Sequence, residues 1–269
     1  MNELKSGEFF GSHYQKLNFE GFTITDTEYT HRKVDWHFHE NPYFTYLLQG
    51  KLYEANKKEE YYLESGSLLF HNWQDAHYNT KPKDYTRGFH IEFNSEWFLK
   101  HGIASMDFEG SLSLKNPIIK SLMNKVFLET KINDPSSQLS IELLMIEIFD
   151  KIKTQEADKF TKKPGWVKKL QELLLDTETD YTLAALSKEL NIHPVHLSRG
   201  FHKYFGITLG QYVRRLKVNK AIMLMSSNQF SMTEICYQCG FYDQSHFISN
   251  FKSIYHTTPS SFLTKYLKR

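Results

Sequence analysis

Two histidines, His37 and His39 in the stretch DWHFHENPYF, are the first candidates for chemistry in this chain. Neutral imidazole is a common metal ligand, and several metalloenzymes begin their metal site with a His-x-His pair. Alternate residues of a β-strand point to one face, so a strand here presents both rings together. The pair can hold an ion, line a pocket for a small effector, or lie as neutral side chains in a core.

The region around the pair is predicted to consist of short strands. Between about residues 19 and 93 the sequence is aromatic and β-branched, and turn signals such as Gln49-Gly50 and Ser65-Gly66 divide it. Many short strands at this spacing indicate a small sandwich or barrel, whose interior could receive both histidines. The predicted strands are FTITDTEY, YFTYLLQG, KLYEAN, EYYLES, GSLLFH, DAHYNT and RGFHIEF.

Helical periodicity begins after Glu96. Residues 117–132 and 137–152 carry apolar side chains at helical spacing. The second helix is apolar around much of its circumference, so one face must pack on the strands. The remainder packs either on a second copy of the chain or within the same chain. Residues 154–165 are polar, end in Pro-Gly and are predicted to be a linker.

The C-terminal third contains an internal repeat. HPVHLSRGFHKYFGITLGQY (193–212) aligns without a gap on DQSHFISNFKSIYHTTPSSF (243–262), and each copy follows a short amphipathic helix. A short helix, a tight turn and a second helix form a helix-turn-helix, whose second helix fits the DNA major groove. An uninterrupted helix over 209–225 would separate the two motifs rigidly.

Charge is distributed unevenly along the chain. Residues 162–269 carry a net charge of +8, whereas residues 1–161 carry −6. A basic C-terminal third suggests a separate domain that binds a polyanion. The N-terminus does not resemble a signal peptide, and the chain contains no apolar run of about 18 residues, so we expect a cytoplasmic protein without a membrane partner.

The C-terminal third closely resembles the AraC/XylS family of bacterial transcription regulators. The resemblance rests on HLSRGFHKYFGITLGQYVRRLKVNKA and CGFYDQSHFISNFKSIYHTTPSSF and covers about 100 residues. It implies base contacts from the second helix of each motif, and phosphate or backbone contacts nearby. Arginine is common in the family where Ser249 stands, so the second motif is expected to contribute less affinity than the first. The implied DNA-binding residues are Val195, Ser198, Arg199, His202, Lys203, Arg214, Arg215, Gln244, Ser245, Ser249 and Lys252.

The N-terminal region resembles the cupin-type sensor domain of that family more weakly. GSLLFHNWQDAHY (66–78) is similar to the second cupin motif, which implies that His77 joins His37 and His39. The carboxylate that cupins add after the first pair is missing here. An effector pocket made of His37, His39, His77 and Tyr46 is the favoured interpretation, and a divalent metal on the three histidines is the alternative.

The pair Cys236 and Cys239 forms a lone CxxC motif. Structural zinc needs four ligands, and no second CxxC occurs in the sequence. Residues three apart on a helix can both face inward, so we predict two buried structural thiols.

These observations predict an α+β protein with two domains. The expected divisions are a cupin-like sensor domain (1–95), a helical dimerisation segment (96–153), a linker (154–165) and a double helix-turn-helix DNA-binding domain (166–269). We expect a homodimeric, effector-controlled regulator of transcription that binds an operator in double-stranded DNA and needs no cofactor for doing so. The alternative is a metal-dependent cupin enzyme fused to a DNA-binding domain.

Overall fold

The chain begins in strands and ends in helices. The structure, a computed structural model, describes residues 2–72, 75–103, 110–159, 164–174 and 181–267. The strands are β1 (Asn2–Leu4), β2 (Ser12–Phe19), β3 (Phe22–Glu28), β4 (Lys33–His39), β5 (Tyr43–Gln49), β6 (Lys51–Asn56), β7 (Glu60–Glu64), β8 (Leu68–His71), β9 (His77–Thr80), β10 (Arg87–Phe93) and β11 (Ser111–Ser113). The helices are α1 (Ser95–Lys100), α2 (Pro117–Ile132), α3 (Ser137–Lys159), α4 (Gly165–Leu173), α5 (Leu183–Leu190), α6 (Pro194–Phe205), α7 (Leu209–Ser227), α8 (Met232–Gln238), α9 (Gln244–Tyr255) and α10 (Pro259–Phe262), followed by a π-helical turn (Leu263–Leu267).

The strands form two sheets. One has the order β1-β4-β9-β6-β7 and the other the order β11-β8-β5-β10-β3-β2. Glycine is required where β5 turns into β6, because Gly50 has φ of 86° and a Cβ there would lie 2.3 Å from the carbonyl oxygen of Tyr85. The predicted turn at Gln49-Gly50 is therefore confirmed.

Both faces of the inner strand β5 are covered, so all of its residues except Gln49 are buried. Phe44, Tyr46 and Leu48 belong to the main hydrophobic core, which also contains residues of α2 and α3. Side chains of a strand alternate between faces, so Tyr43 and Thr45 point to the opposite side, toward the five-stranded sheet. One face of the six-stranded sheet thus lines a polar interior while the other packs on helices.

Helix α2 links the N-terminal sheet to the C-terminal helices. The side chain of Asn116 caps its first turn, Pro117 occupies the first helical position, and Asn133 ends it in the left-handed conformation. The main core continues from α2 into α7, α8 and α9, whereas α4, α5 and α6 form a separate cluster with Tyr212. The second helix-turn-helix is therefore packed against the N-terminal domain, and the first has a core of its own.

The predicted α+β organisation with two domains is confirmed, and the structure adds three details. β1, β2 and β11 are strands that the sequence did not indicate. α3 continues to Lys159, so the segment predicted as a linker is helical at its start, while residues 160–163 lie outside the described residues. Leu139 and Leu143 of α3 remain exposed, at 61% and 60%, while Ile141 and Met145 are buried within the chain. The predicted domain boundaries stay a prediction. None of the helices described is long and apolar enough to cross a lipid bilayer.

Candidate effector pocket and DNA-binding surface

The three predicted histidines meet in the interior of the N-terminal domain. His37 and His39 lie on β4 and His77 lies on β9, where His77 pairs with His37. One nitrogen from each ring lies within 4.8 Å of the others, and all three side chains are buried. This trio is close enough to surround one ion or one polar group of a ligand.

Backbone carbonyls orient two of these rings. His37 Nδ1 lies 2.9 Å from the carbonyl oxygen of Asp35, and His77 Nδ1 lies 2.8 Å from that of Asp75. A carbonyl oxygen only accepts hydrogen bonds, so each Nδ1 carries the proton and each Nε2 keeps its lone pair. His77 Nε2 accepts a hydrogen bond from the Tyr43 hydroxyl at 3.1 Å. The pocket therefore offers imidazole acceptors in a fixed orientation.

Tyr46 was predicted to line this pocket, and the structure does not place it there. Its hydroxyl donates to Asn124 Oδ1 on α2 at 2.7 Å, on the other side of the six-stranded sheet. Tyr43, three residues earlier and on the opposite face of the strand, takes the expected place and stacks on His71 at 4.3 Å between ring centroids. Tyr43 and Tyr46 are three positions apart on β5, so strand alternation places their side chains on opposite faces of the sheet. The sequence did not reveal which of the two faces lies toward the histidines.

A carboxylate missing from the sequence motif reaches the pocket from another strand. Glu54 on β6 is buried, its Oε1 lies 3.5 Å from His71 Nδ1, and Asn79 Nδ2 donates to its Oε2 at 3.0 Å. Burial raises the pKa of Glu54 to about 8, so this carboxyl is largely protonated at neutral pH. The alternation of KLYEAN, with Leu52 and Glu54 on the same face, was the available signal for it.

The histidines of the interior are neutral at physiological pH. Burial lowers the pKa of His37 to about 4 and that of His90 to about 3, and it lowers the pKa values of His39, His71 and His77 as well. His39 Nδ1 and His71 Nε2 have no hydrogen-bond partner among the described residues, although both atoms are buried. Such unpaired atoms are expected where a ligand group belongs.

The N-terminal segment covers the pocket. The Phe9 ring stacks on His90 at 3.8 Å and lies 4.7 Å from His39, and the Phe10 ring meets His37 edge-on at 5.3 Å. Gly7 N donates to Glu92 Oε2 at 2.6 Å, which fastens the segment to β10. The histidine interior is therefore shielded from solvent by aromatic side chains of the same chain.

Replacing Glu54 with glutamine is expected to change the pH dependence of stability. The folded-state pKa of about 8 lies above the ordinary value of 4.5, so the folded protein binds the extra proton and stability falls as pH rises through this window. Relative to the wild type, Glu54→Gln should gain about 2 kcal/mol of unfolding free energy between pH 5 and pH 7. Urea unfolding at both pH values measures this difference. Glu60→Gln, at an exposed position of β7, should show no such gain. An identical change in unfolding free energy between pH 5 and pH 7 for all three proteins would contradict the raised pKa of Glu54.

The predicted DNA-binding side chains of the first motif form one exposed face of α6. Leu197 and Phe201 are fully buried behind this face and hold the helix on its core. The helix begins at Pro194, with His193 Nδ1 accepting from Val195 N, and ends at Gly206 in the left-handed conformation. The exposed predicted residues are Val195, Ser198, Arg199, His202 and Lys203.

Helix α9 repeats this arrangement in the second motif. Phe247 and Phe251 are buried, and the predicted side chains of Gln244, Ser245, Ser249 and Lys252 are exposed. Gln244 Nε2 donates to Thr233 Oγ1 on α8 at 2.6 Å. The Gln244 amide therefore has a hydrogen-bond partner within the protein in the absence of DNA.

Two further predictions concern the helices that flank the motifs. Arg214 on α7 is exposed and Arg215 is partly buried, so Arg214 is the better placed for a DNA backbone. Cys236 and Cys239 are free, buried thiols, as predicted, and burial raises the pKa of Cys239 to about 12. A thiol with a raised pKa is a poor nucleophile and a poor metal ligand, which agrees with a structural role.

The sequence similarity to known proteins is clearest in the C-terminal region. Residues 186–265 match a helix-turn-helix domain family. The chain is 23% identical over 156 residues to the HTH-type transcriptional activator RhaR of Mannheimia succiniciproducens, covering 56% of both proteins. It is 32% identical over 75 residues to the HTH-type transcriptional activator RhaS of Salmonella arizonae, covering 28% of this chain and 27% of that protein. The similarity thus spans about half, or less, of the length of these curated relatives.

A solved structure of ToxT from Vibrio cholerae is similar over 90% of this chain and 97% of its own, at 16% identity and a TM-score of 0.39. The matched residues 186–265 contain most of α5 and all of α6, α7, α8 and α9. These matches support the resemblance of the C-terminal third to the AraC/XylS family of transcription regulators.

Proposed function

We propose that the protein is a sequence-specific DNA-binding transcription regulator whose N-terminal domain responds to a small effector. The observation that supports this most directly is the repeated helix-turn-helix, in which α6 and α9 each present an exposed polar face in front of buried phenylalanines. Exposed Arg199, Lys203 and Lys252 supply the positive charge that phosphate contacts require.

The helix between the motifs has a length suited to DNA. α7 contains 19 residues, which corresponds to about 28 Å of α-helix. Successive major-groove positions on one side of DNA are about 34 Å apart. A rigid helix of this length supports simultaneous insertion of α6 and α9 into neighbouring segments of the groove.

The histidine interior is proposed as the effector pocket. A polar ligand would find both hydrogen-bond acceptors and donors in this pocket, namely the neutral imidazoles, the Tyr43 hydroxyl and the protonated Glu54. A ligand can alter DNA binding only if it binds the DNA-competent and incompetent arrangements with unequal affinity.

A metal-dependent enzyme is the second candidate, since the His37, His39 and His77 nitrogens are close enough to hold a divalent ion. These three side chains would hold it, and a bound ion would supply Lewis-acid chemistry. Metal analysis of protein purified without a histidine tag tests this candidate. Stoichiometric iron, manganese or zinc that is lost in a His37/His39/His77 triple variant would favour it.

Oligomeric state, location and domain division belong to the same proposal. Exposed Leu139 and Leu143 on α3 support a homodimer formed through the segment 96–153. A regulator that binds operator DNA works in the cytoplasm, where bacterial DNA lies. The sensor domain (1–95) and the DNA-binding domain (166–269) would be separated by the segment 154–165.

DNA binding is tested with fragments from upstream of the protein's own gene. Fluorescence polarisation should show salt-dependent binding that distinguishes one fragment from scrambled DNA of the same composition. Equal affinity for all fragments, with and without candidate effectors, would count against a sequence-specific regulator.

Replacing Arg199 with alanine is expected to weaken operator binding by about 1–3 kcal/mol and to relax preference at one base position, because arginine can bind guanine through two hydrogen bonds. Polarisation with operators substituted at single positions measures both effects. Lys33→Ala, an exposed change on β4, is the control and should leave affinity unchanged. Equal losses on every sequence would instead identify Arg199 as a phosphate contact.

A further inference from the structure

The three histidines of the pocket are spaced so that a donor nitrogen fits between them. One nitrogen of each ring lies within 4.8 Å of the other two. An atom placed midway between three nitrogens at that spacing lies about 2.8 Å from each, which is an ordinary hydrogen-bond length. Zinc–imidazole bonds of about 2.0–2.1 Å need ring nitrogens about 3.4 Å apart, so an ion would have to draw such rings together. A hydrogen-bond donor is accommodated with the rings in place.

The acceptors around this position match the donors of a primary ammonium group. His37 Nε2 keeps its lone pair because Nδ1 donates to the carbonyl oxygen of Asp35, and His39 Nδ1 is buried without a partner among the described residues. His77 Nε2 already accepts from the Tyr43 hydroxyl, whose oxygen keeps its own lone pairs. Two ring nitrogens and one hydroxyl oxygen are thus open to the three N–H donors of an ammonium group.

Aromatic rings border the same histidines. The centroid of the Phe9 ring lies 4.7 Å from that of His39 and 5.4 Å from that of Tyr43, and the Phe10 ring meets His37 edge-on at 5.3 Å. The faces of such rings attract a positive charge. The rings also exclude water, which strengthens hydrogen bonds from a charged donor. A cation gains both effects here, whereas an anion gains no attraction from the ring faces.

The charged groups close to the pocket are acidic. Glu54 lies behind His71, with 3.5 Å between Oε1 and Nδ1. Burial raises the pKa of Tyr43, and the negative charges of Glu54, Glu92 and Asp75 raise it further. No lysine or arginine among the described residues forms a hydrogen bond or ion pair with the three histidines, Tyr43 or Glu54. The surroundings therefore favour a positively charged ligand.

We propose that the histidine pocket binds the charged head of a small primary amine, which donates hydrogen bonds to His37, His39 and the Tyr43 oxygen. A buried ammonium group is costly unless it is hydrogen-bonded and its charge is compensated, and this pocket supplies both acceptors and nearby carboxyl groups. The proposal assigns a ligand class to the effector pocket. Control of DNA binding by an amine rests on the proposed function, whereas the binding site itself does not.

Three molecules with the same hydrocarbon chain test the charge requirement. We would titrate n-propylamine, 1-propanol and propionate into the full chain by isothermal calorimetry at pH 7, after removing metal ions with EDTA. At this pH the amine is a cation, the alcohol is neutral and the acid is an anion. Propylamine should bind about tenfold or more tightly than 1-propanol, and propionate should give no heat. Equal affinity for 1-propanol or propionate, or no heat from propylamine at millimolar concentration, would overturn the inference.

Zinc chloride, titrated into the same metal-free protein, separates an amine site from a metal site. Stoichiometric zinc binding together with no heat from propylamine would assign the three histidines to a metal ion and overturn the inference. Propylamine that binds the metal-free protein and competes with zinc is the expected result if both need the same ring nitrogens.

His39→Leu tests whether the histidines form the amine site. The change removes one acceptor, and His39 Nδ1 has no partner to lose among the described residues, so thermal unfolding should show no loss of stability. Affinity for propylamine should fall about tenfold. The matched control is His101→Leu at the end of α1, which removes another buried, unpaired ring nitrogen outside the pocket and should leave affinity unchanged. Unchanged affinity in His39→Leu, or equal losses in both variants, would overturn the inference. If His39→Leu fails to fold, the charge comparison in the wild type still decides.

Proton release provides a second readout. Burial, opposed by the hydrogen bond from Asn79 and aided by the charge of Asp75, raises the pKa of Glu54 to about 8. A cation nearby lowers this pKa, so binding of propylamine at pH 7 should release a fraction of a proton. Titrations in phosphate and MOPS, which differ in ionisation enthalpy and are not primary amines, measure the fraction. Glu54→Gln should reduce the release, and Glu60→Gln on the exposed side of β7 should not. An unreduced release in Glu54→Gln would show that the amine itself loses the proton and does not bind as a cation.

DNA binding is scored separately, by polarisation with and without propylamine. Amine binding in a protein that binds no operator supports the site and removes the proposed function. Operator binding in a protein that gives no heat with propylamine has the opposite meaning. The failure of the amine site and the failure of the proposed function are therefore distinguishable.

Discussion

Replacing Asp26 with alanine is expected to lower the free energy of unfolding by about 3–5 kcal/mol, because it leaves two cations unpaired at the contact between β3 and α2. Asp26 is 1% exposed, and both of its oxygens accept hydrogen bonds from Arg87 at 2.6 Å. Lys131 at the end of α2 donates to Oδ2 at 2.6 Å. Burial alone would raise the pKa of Asp26, but Arg87 and Lys131 outweigh it and hold the pKa below its usual value. Urea unfolding at pH 7 measures the loss.

The surface pair of Lys33 and Asp35 provides a matched comparison. Lys33 Nζ lies 2.6 Å from Asp35 Oδ1, but the two side chains are 64% and 80% exposed. Asp35→Ala should therefore cost less than about 1 kcal/mol despite the equally short contact. Because the pKa of Asp26 is depressed in the folded state, the stabilisation it provides should disappear as pH falls below the ordinary carboxyl range. Equal losses for the two alanine variants would show that burial does not distinguish these pairs.

The strands that the sequence predicted are those whose own side chains reveal the face they bury. β5 and β10 are buried along almost their whole length because both of their faces are covered, and their boundaries agree with YFTYLLQG and RGFHIEF. β2 is polar and largely exposed, and it pairs with β3 alone at the edge of the sheet. β1 is only three residues long and is defined by its pairing with β4. Such strands depend on partners distant in sequence, which a local pattern does not encode.

The pocket was predictable to the extent that local spacing determines it. His37 and His39 are two residues apart on one strand, and the register of β9 brings His77 to them, as the motif implied. Glu54 was missed because it lies outside the motif and reaches the interior only through the pairing of β6 with β9. The DNA contacts of α6 and α9 stay predictions, although the helical repeat correctly indicated which of their residues are buried and which are exposed.

A chain of side-chain hydrogen bonds connects the six-stranded sheet with helix α9 of the second helix-turn-helix. The Tyr46 hydroxyl donates to Asn124 Oδ1, and Asn124 Nδ2 donates to the Tyr255 hydroxyl at 3.1 Å. The Tyr255 hydroxyl in turn donates to Asn219 Oδ1 at 3.2 Å, and Asn219 Nδ2 donates to the carbonyl oxygen of Pro117 at 3.0 Å. The chain joins β5, α2, α9 and α7 through buried groups, so a shift of β5 has a direct path to α9.

Replacing Asn219 with alanine is expected to lower the free energy of unfolding by about 3 kcal/mol, because the Tyr255 hydroxyl and the Pro117 carbonyl both lose a buried partner. The change also removes an acceptor of the Ser121 hydroxyl, although Ser121 keeps its bond to Pro117. Urea unfolding of the full chain measures the loss, with Gln229→Ala at an exposed position beyond α7 as the control.

The same variant tests whether this polar chain transmits the effector signal. If it does, Asn219→Ala should still bind operator DNA, since α6 and the exposed face of α9 are unaltered, but the change in affinity caused by an effector should shrink. Polarisation with and without effector separates these two quantities. A folded Asn219→Ala protein with the full effector response would show that coupling between the domains runs through the apolar contacts of α2 and α7 instead.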